Sequence, residues 1–291
     1  MINSSNPKDC NKSLLVINRA NPSEKNNQTI RELMSSTVVT ITPEKTLYDA
    51  ARVMGEKHIG SLVVVIYDTP VGIITERDLL DTVSSGVALE KDWIGGGESL
   101  RDQKVDSVMS CPISKICVSS PLKDAAKLMI EKRIRRLMVC DLGNVVGILT
   151  ASDMIGSLPR VDETMKTWFE VDYFMTKKIV TADEKTLVDQ VAIIMAKKRI
   201  GSVIITRNEK PIGIFTERDL LTKFLAKGKS LIVEVGETCS SPLICAPIGI
   251  SVNEAATIMG SKHIRRLPIV KNDKLVGILS ARDLVEAYAR K

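Results

Sequence analysis

The chain has 291 residues, 44% of them hydrophobic and 26% charged, which is more than one small core needs, so two domains is the starting expectation. Its longest apolar stretch, residues 62–67, is far below the roughly 18 residues of a membrane-spanning helix, which argues against a membrane protein. The net charge of +6 favours an anionic ligand without identifying it, while 3% aromatic residues, with Trp93 and Trp168 the sole tryptophans, leaves few stacking platforms for single-stranded nucleic acid.

Residues 1–28 carry seven asparagines and no apolar core before a cleavage site, so the start reads as a flexible segment of a cytoplasmic protein, not as a secretion signal. Beyond it one unit is written four times without a gap. The first copy, about 29–84, opens at Met34-Ser35 and carries a helical stripe at Leu47, Ala50, Ala51 and Met54. Two β-branched runs follow, 62–66 and 71–74, around a turn at 67–70; a second helix is expected from Thr75. A linker, 84–99, contains Gly95-Gly96-Gly97. The second copy, about 104–157, opens at Met109-Ser110, with its stripe at Leu122, Ala125, Ala126 and Met129, its turn at 141–144 and its second helix from Thr150. A helical-looking linker at 159–170 holds Trp168 and Phe169. The third copy, about 170–225, opens at Met175-Thr176, with Val188, Val191, Ala192 and Met195, a turn at 207–210 and a helix from Thr216. The fourth, about 234–291, opens at Cys239-Ser240, with Val252, Ala255, Ala256 and Met259, a turn at 271–274 and a helix from Ser280.

Each unit thus reads β-α-β-β-α, an α/β fold with two helices covering one side of its sheet. The copies are not equal. The first and third share Ile-Gly-Ser (59–61, 200–202) and Thr-Glu-Arg-Asp (75–78, 216–219); the second and fourth share Ile-Arg-Arg-Leu (134–137, 264–267) and end in Thr-Ala-Ser-Asp or Ser-Ala-Arg-Asp. A pair duplicated as a pair gives two domains of two units, 29–157 and 158–291, and about fifty residues per unit is too little core to stand alone.

Two recurring groups carry chemistry. The hydroxyl and carboxylate of Thr75/Asp78, Thr150/Asp153, Thr216/Asp219 and Ser280/Asp283 have the spacing of a helix cap, and a carboxylate there also suits the two hydrogen bonds of a vicinal diol. Both readings stay open. Arg135-Arg136 and Arg265-Arg266 stand where a helix passes into a strand; adjacent strand residues face opposite ways, so one of each pair addresses a given groove, and a solvated surface is the alternative. Lys57, Lys132, Lys198 and Lys262, followed by His58, Arg133, Arg199 and His263, fit the basic end that a helix dipole favours. Cys10, Cys111, Cys117, Cys140, Cys239 and Cys245 have no zinc spacing with the two histidines and read as thiols in a reducing cytosol, with a disulfide as the alternative; no metal site is expected. Gly228-Lys229-Ser230 imitates the end of a phosphate-binding loop, but its required first glycine is Lys223, and no hydrolase, metalloprotease or dinucleotide fingerprint occurs.

The Gly-hydrophobic-hydrophobic-Thr/Ser-x-x-Asp ending (72–78, 147–153, 213–219, 277–283), the Met-Ser opening and the alanine-bearing helix together resemble the cystathionine-β-synthase (CBS) domain, over all of the chain beyond about residue 29. A tandem pair of such units forms a Bateman module, and four in one chain resembles the γ-subunit arrangement of AMP-activated protein kinase. The resemblance implies AMP, ADP or ATP in clefts between paired units. It implies ribose contacts from Asp78, Asp153, Asp219 and Asp283, ribose or phosphate contacts from Thr75, Thr150, Thr216 and Ser280, and phosphate contacts from Arg135, Arg136, Arg265 and Arg266. Ser36-Thr37, Pro112-Ile113, Lys177-Lys178 and Ser241-Pro242 would lie near the adenine. No stretch is left over for a catalytic domain. The expectation is a non-enzymatic nucleotide sensor that signals to a target protein, its modules paired internally or with those of a second copy. A nucleic-acid or transcriptional binder and a ligand-free assembly module are the rival readings.

Overall fold

The computed structural model describes residues 29–85, 99–155, 170–272 and 274–290. The 1–28 segment and nearly all of the two linkers, with Trp93 and Trp168, lie outside the described residues.

The repeats run in chain order. The first contains α1 (Ile30–Leu33), β1 (Thr40–Ile41), α2 (Leu47–Glu56), β2 (Ser61–Ile66), β3 (Thr69–Thr75) and α3 (Glu76–Ser84). The second contains β4 (Lys115–Cys117), α4 (Leu122–Glu131), β5 (Arg136–Asp141), β6 (Asn144–Thr150) and α5 (Ala151–Ile155). In the third are β7 (Thr181–Asp183), α6 (Val188–Lys197), β8 (Ser202–Arg207), β9 (Lys210–Thr216) and α7 (Glu217–Asp219), which runs on as a widened turn through Phe224. In the fourth are β10 (Ala246–Pro247), α8 (Val252–Ser261), β11 (Arg266–Lys271), β12 (Lys274–Ser280) and α9 (Ala281–Arg290). Every repeat therefore builds its own three-stranded sheet, a short first strand parallel to the second and the second antiparallel to the third.

Local sequence explains these elements. The four stripes expected for the first helices are the residues buried along α2, α4, α6 and α8. Thr46 with Asp49 and Ser251 with Glu254 close capping boxes at the starts of α2 and α8. The hairpins turn on two residues with positive φ, Tyr67-Asp68, Leu142-Gly143 and Asn208-Glu209, the backbone hand that matches strand twist. At the ends of the first helices, Lys57, Lys132, Lys198 and Lys262 are the C-caps, and the following His58, Arg133, Arg199 and His263 have φ of 51 to 55°. The recurring basic dipeptide thus marks a helix end, where the dipole favours positive charge.

Packing divides the described residues into two compact units: those within 1–38, 113–179 and 244–291, and those within 39–112 and 180–243. The first holds the second and fourth repeats and is called the even unit here; the other, the odd unit, holds the first and third. This division cuts across the sequence halves 29–157 and 158–291, because the apolar helix faces of alternate repeats merge into one core. In the even unit α4, α5, α8 and α9 pack together; in the odd unit α2 and α3 pack on the helices of the third repeat.

Each unit also receives the lead-ins of the repeats it does not contain. Ile30 and Val171 are buried in the even core, Val105 and Val235 in the odd one. Each stands four residues before an opening Met or Cys, a regularity visible in the sequence once its role is known. The openings then make two-bond bridges to third strands: Ser35 to Ile148, Ser110 to Ile73, Thr176 to Ile278 and Ser240 to Ile214. The first and second repeats exchange openings, and so do the third and fourth. The sulfur before each bridge lies on the motif glycine of the receiving strand. A Cβ on Gly72 would come 2.6 Å from Met109 Sδ; one on Gly147 would come 2.8 Å from Met34 Sδ and 2.6 Å from the Ser35 carbonyl oxygen. Only glycine permits this approach.

Candidate functional site

The third strand of each repeat ends on the hydroxyl residue, and the second helix begins on the next residue. At that junction the carboxylate folds back as a cap. Asp78 Oδ2 accepts from the Thr75 backbone N–H at 2.7 Å and its hydroxyl at 2.8 Å; Asp153 Oδ2 accepts from the Thr150 N–H at 2.7 Å; Asp283 Oδ2 accepts from the Ser280 N–H at 2.6 Å. The capping reading of the motif is therefore correct as local structure in these repeats, and it positions each carboxylate beside its hydroxyl.

The opening of the exchange partner completes the arrangement. Each bridge meets the third strand two residues before the hydroxyl, so the opening lies along the strand whose end carries the hydroxyl–carboxylate pair. Ser35 and Thr176 border the second- and fourth-repeat junctions within the even unit; Ser110 and Ser240 border those of the first and third within the odd unit.

The two arginines of each basic pair differ in position. Arg136 is the cross-strand partner of Thr150, and Arg266 that of Ser280. Arg135 and Arg265 instead lend their backbone carbonyls to the first N–H of the second helix, Ala151 at 2.9 Å and Ala281 at 3.1 Å. The strand register thus puts the second arginine beside the hydroxyl, while the first stands just before the strand. In the odd repeats Ser61 and Ser202 stand across from Thr75 and Thr216, so no guanidinium comes from that position.

Burial pushes the Asp283 carboxyl above the ordinary aspartate range, against the Ser280 hydrogen bonds and the nearby Arg266, which favour its charged form. The third-repeat carboxylate is set apart. Asp219 is the buried member of the four, and besides its cap from Thr216 it accepts from the Ser240 hydroxyl at 2.9 Å and from Lys223 Nζ at 2.7 Å. Lys223 stands one helical turn on in the sequence, but the Ser240 hydroxyl arrives on an opening from another repeat, of which local spacing gives no hint.

Such a junction can offer a carboxylate and a hydroxyl to a diol and, in the even unit, a guanidinium to an anion. Among the described residues no group of three or more metal-ligating side chains comes together, and no helix is long and apolar enough to cross a membrane.

The family model of the CBS domain matches residues 30–85, 105–160, 170–226 and 235–290. The uncharacterized protein MJ1404 of Methanocaldococcus jannaschii is 27% identical over 285 residues, 90% of this chain; the chain spans 62% of that relative's length. Among solved structures, protein MJ1225 of the same organism, proposed as an archaeal homologue of the AMP-activated kinase γ subunit, superposes with a TM-score of 0.70 at 18% identity, over 89% of this chain and 99% of that one. A conserved protein of Pyrococcus horikoshii gives 0.61 at 23% identity, over 90% and 100%. At these identities the structural likeness is one of fold, and it extends over the same four units that the family model matches. The chain belongs to the CBS-domain family and carries four copies of that domain.

Proposed function

We propose that this chain is a non-catalytic receptor for adenosine nucleotides, AMP, ADP or ATP, whose occupancy is read by a partner protein. The observation that carries the reading is the even-unit junction, where Thr150, Asp153 and Arg136, or Ser280, Asp283 and Arg266, meet at one strand end beside an opening lent by another repeat. A carboxylate accepts both hydroxyls of a vicinal diol, and a guanidinium one strand away suits the phosphate of the same nucleotide. Membership of the CBS-domain family supports the choice of adenosine.

The exchange of openings also favours pairing the first repeat with the second and the third with the fourth as Bateman modules, 29–157 and 158–291. The ligand would change the hold of an opening on its receiving strand, and it shifts conformation only by its differential affinity for the two states. A cytoplasmic setting suits Cys117, Cys140 and Cys239, which stand as free thiols.

Calorimetric titration of the full chain with AMP and with ATP tests the reading. Asp153→Ala and Asp283→Ala should each remove or severely weaken one site. Arg136→Ala and Arg266→Ala should weaken binding about tenfold or more, the loss of a charge-assisted contact of roughly 1.5–3 kcal/mol. Unchanged affinity in both aspartate variants rejects the ribose role, and steeply salt-dependent nucleic-acid binding without any response to adenylates would replace the proposal.

A further inference from the structure

The third-repeat junction has the motif of the others and a different internal chemistry. A carboxylate offers about four acceptor positions, two on each oxygen. Asp219 uses them within the chain: Oδ2 accepts from the Thr216 N–H at 2.9 Å and from its hydroxyl at 2.6 Å, and Oδ1 accepts from the Ser240 hydroxyl at 2.9 Å and from Lys223 Nζ at 2.7 Å. Lys223 is held at its other side as well, donating to the Thr238 carbonyl at 2.6 Å. A ribose diol arriving here would have to displace both an ammonium and a hydroxyl from one carboxylate oxygen that is already out of water. The geometry points to Lys223 as a built-in occupant of the third repeat's diol position, a tethered cation that keeps nucleotide from this repeat while leaving the motif intact.

Sequence singles out the same residue. One helical turn after the aspartate the other repeats carry Thr82, Ser157 and Ala287, none of which can supply a cation. Asp219 is also buried where Asp78 is only half-buried, so the closure shows in exposure as well as in hydrogen bonds. The inference rests on the nucleotide reading above and refines it: the chain has at most three carboxylates with which to hold ribose, and the position of Lys223 decides that number.

The test is the stoichiometry of AMP uptake by the full chain, measured calorimetrically on wild type, Lys223→Met, Lys223→Gln and Lys223→Arg, with melting curves to establish folding. Either charge-removing variant should take up one AMP more than wild type. Lys223→Arg keeps a cation and should bind as wild type does. Adding Asp219→Asn to Lys223→Met should abolish the gained site and leave the others. If the folded Met and Gln variants bind the same number of AMP molecules as a wild type that does bind, or if the gained site survives Asp219→Asn, the role of Lys223 is refuted and the nucleotide reading stands. Absence of heat from all of these proteins at millimolar AMP removes the nucleotide reading and this refinement together.

Discussion

The odd and even units are built from the same backbone and distribute their charges in opposite ways. In the odd unit the residues that follow the hydroxyl are Glu76-Arg77 and Glu217-Arg218. They cross reciprocally: Arg77 pairs with Glu217 at 2.7 Å, and Arg218 pairs with Glu76 and donates to the His58 carbonyl at 2.7 Å. Both glutamates are buried, at 5% and 4% exposure. In the even unit the corresponding residues are Ala151-Ser152 and Ala281-Arg282; both alanines lie in the apolar core, and Arg136 and Arg266 stand at the strand entry. One unit places guanidinium groups inside, where they hold two repeats together; the other places them beside the hydroxyl–carboxylate pair. Similar repeats thus differ in a buried glutamate exchanged for alanine and in an arginine gained at the strand entry, and the Lys223–Asp219 pair adds a further internal ion pair to the odd unit.

The comparison breaks most visibly at the buried pairs. Glu217→Ala should destabilise the chain by about 3 kcal/mol, the lower end of what breaking a buried pair costs, because Arg77 keeps a quarter of its side chain in water (24%). Replacing Arg77 and Glu217 together by methionine should restore most of that loss, since an apolar pair of similar volume needs no desolvation of charge. Urea unfolding of both variants decides it. A double variant as unstable as the single one would mean that the ion pair itself, not the orphaned charge, governs stability.

The glycine contacts sharpen it next. Gly147→Ala drives a methyl group toward the backbone oxygen of Ser35, which cannot rotate away, and should cost about 1–3 kcal/mol as overpacking. Gly72→Ala meets the flexible end of Met109 within 3 Å and the Ser110 oxygen only at 3.3 Å, so its loss should be the smaller and should be relieved by Met109→Ala. Equal losses at the two glycines would show that the exchanged openings sit equally tightly in both units.

A pH effect stands below these. Burial raises the folded-state pKa of Asp283, so between the ordinary aspartate range and that raised value the folded chain holds a proton that the unfolded chain has released. The contribution is therefore present at low pH and is lost as pH rises through the folded-state value. Asp283→Asn should remove that dependence, and its melting temperature should gain on wild type as pH rises above the ordinary aspartate range. Parallel curves would mean that Arg266 and the Ser280 hydrogen bonds fully offset the burial.

Much of this architecture is legible in the sequence because it rests on local rules. The stripe Leu47, Ala50, Ala51, Met54 and its three copies follow from helical period, and the hairpins from β-branched runs around short turns. The capping role of Asp78 and its equivalents follows from spacing alone. What the sequence conceals depends on residues far apart in the chain. Nothing near Glu76 announces Arg218 as its partner, and nothing near Asp219 announces Ser240. The alternation of repeats between two cores is hidden for the same reason: similarity shows that the first and third repeats are alike, but helix packing makes them neighbours. The arginine pairs are an intermediate case, since strand alternation says that the two members differ and the register with Thr150 and Ser280 says which member faces the hydroxyl.

The smallest effect belongs to an ion pair of the even unit. Arg31 reaches Asp141 at 2.5 Å and so ties the first repeat's lead-in to the second repeat, much as Arg77 ties the third repeat to the first. Distance alone would rank this contact with the buried pairs. Exposure reverses the ranking: with 57% and 38% of the two side chains in solvent, water and salt screen the attraction, and holding two long side chains in place costs entropy. Arg31→Ala should therefore change stability by less than about 1 kcal/mol, and the change should vanish at high ionic strength, whereas that of Glu217→Ala should persist there. Should Arg31→Ala prove as damaging as Glu217→Ala, the anchoring of the openings, and not the burial of charge, would be what distinguishes the two units.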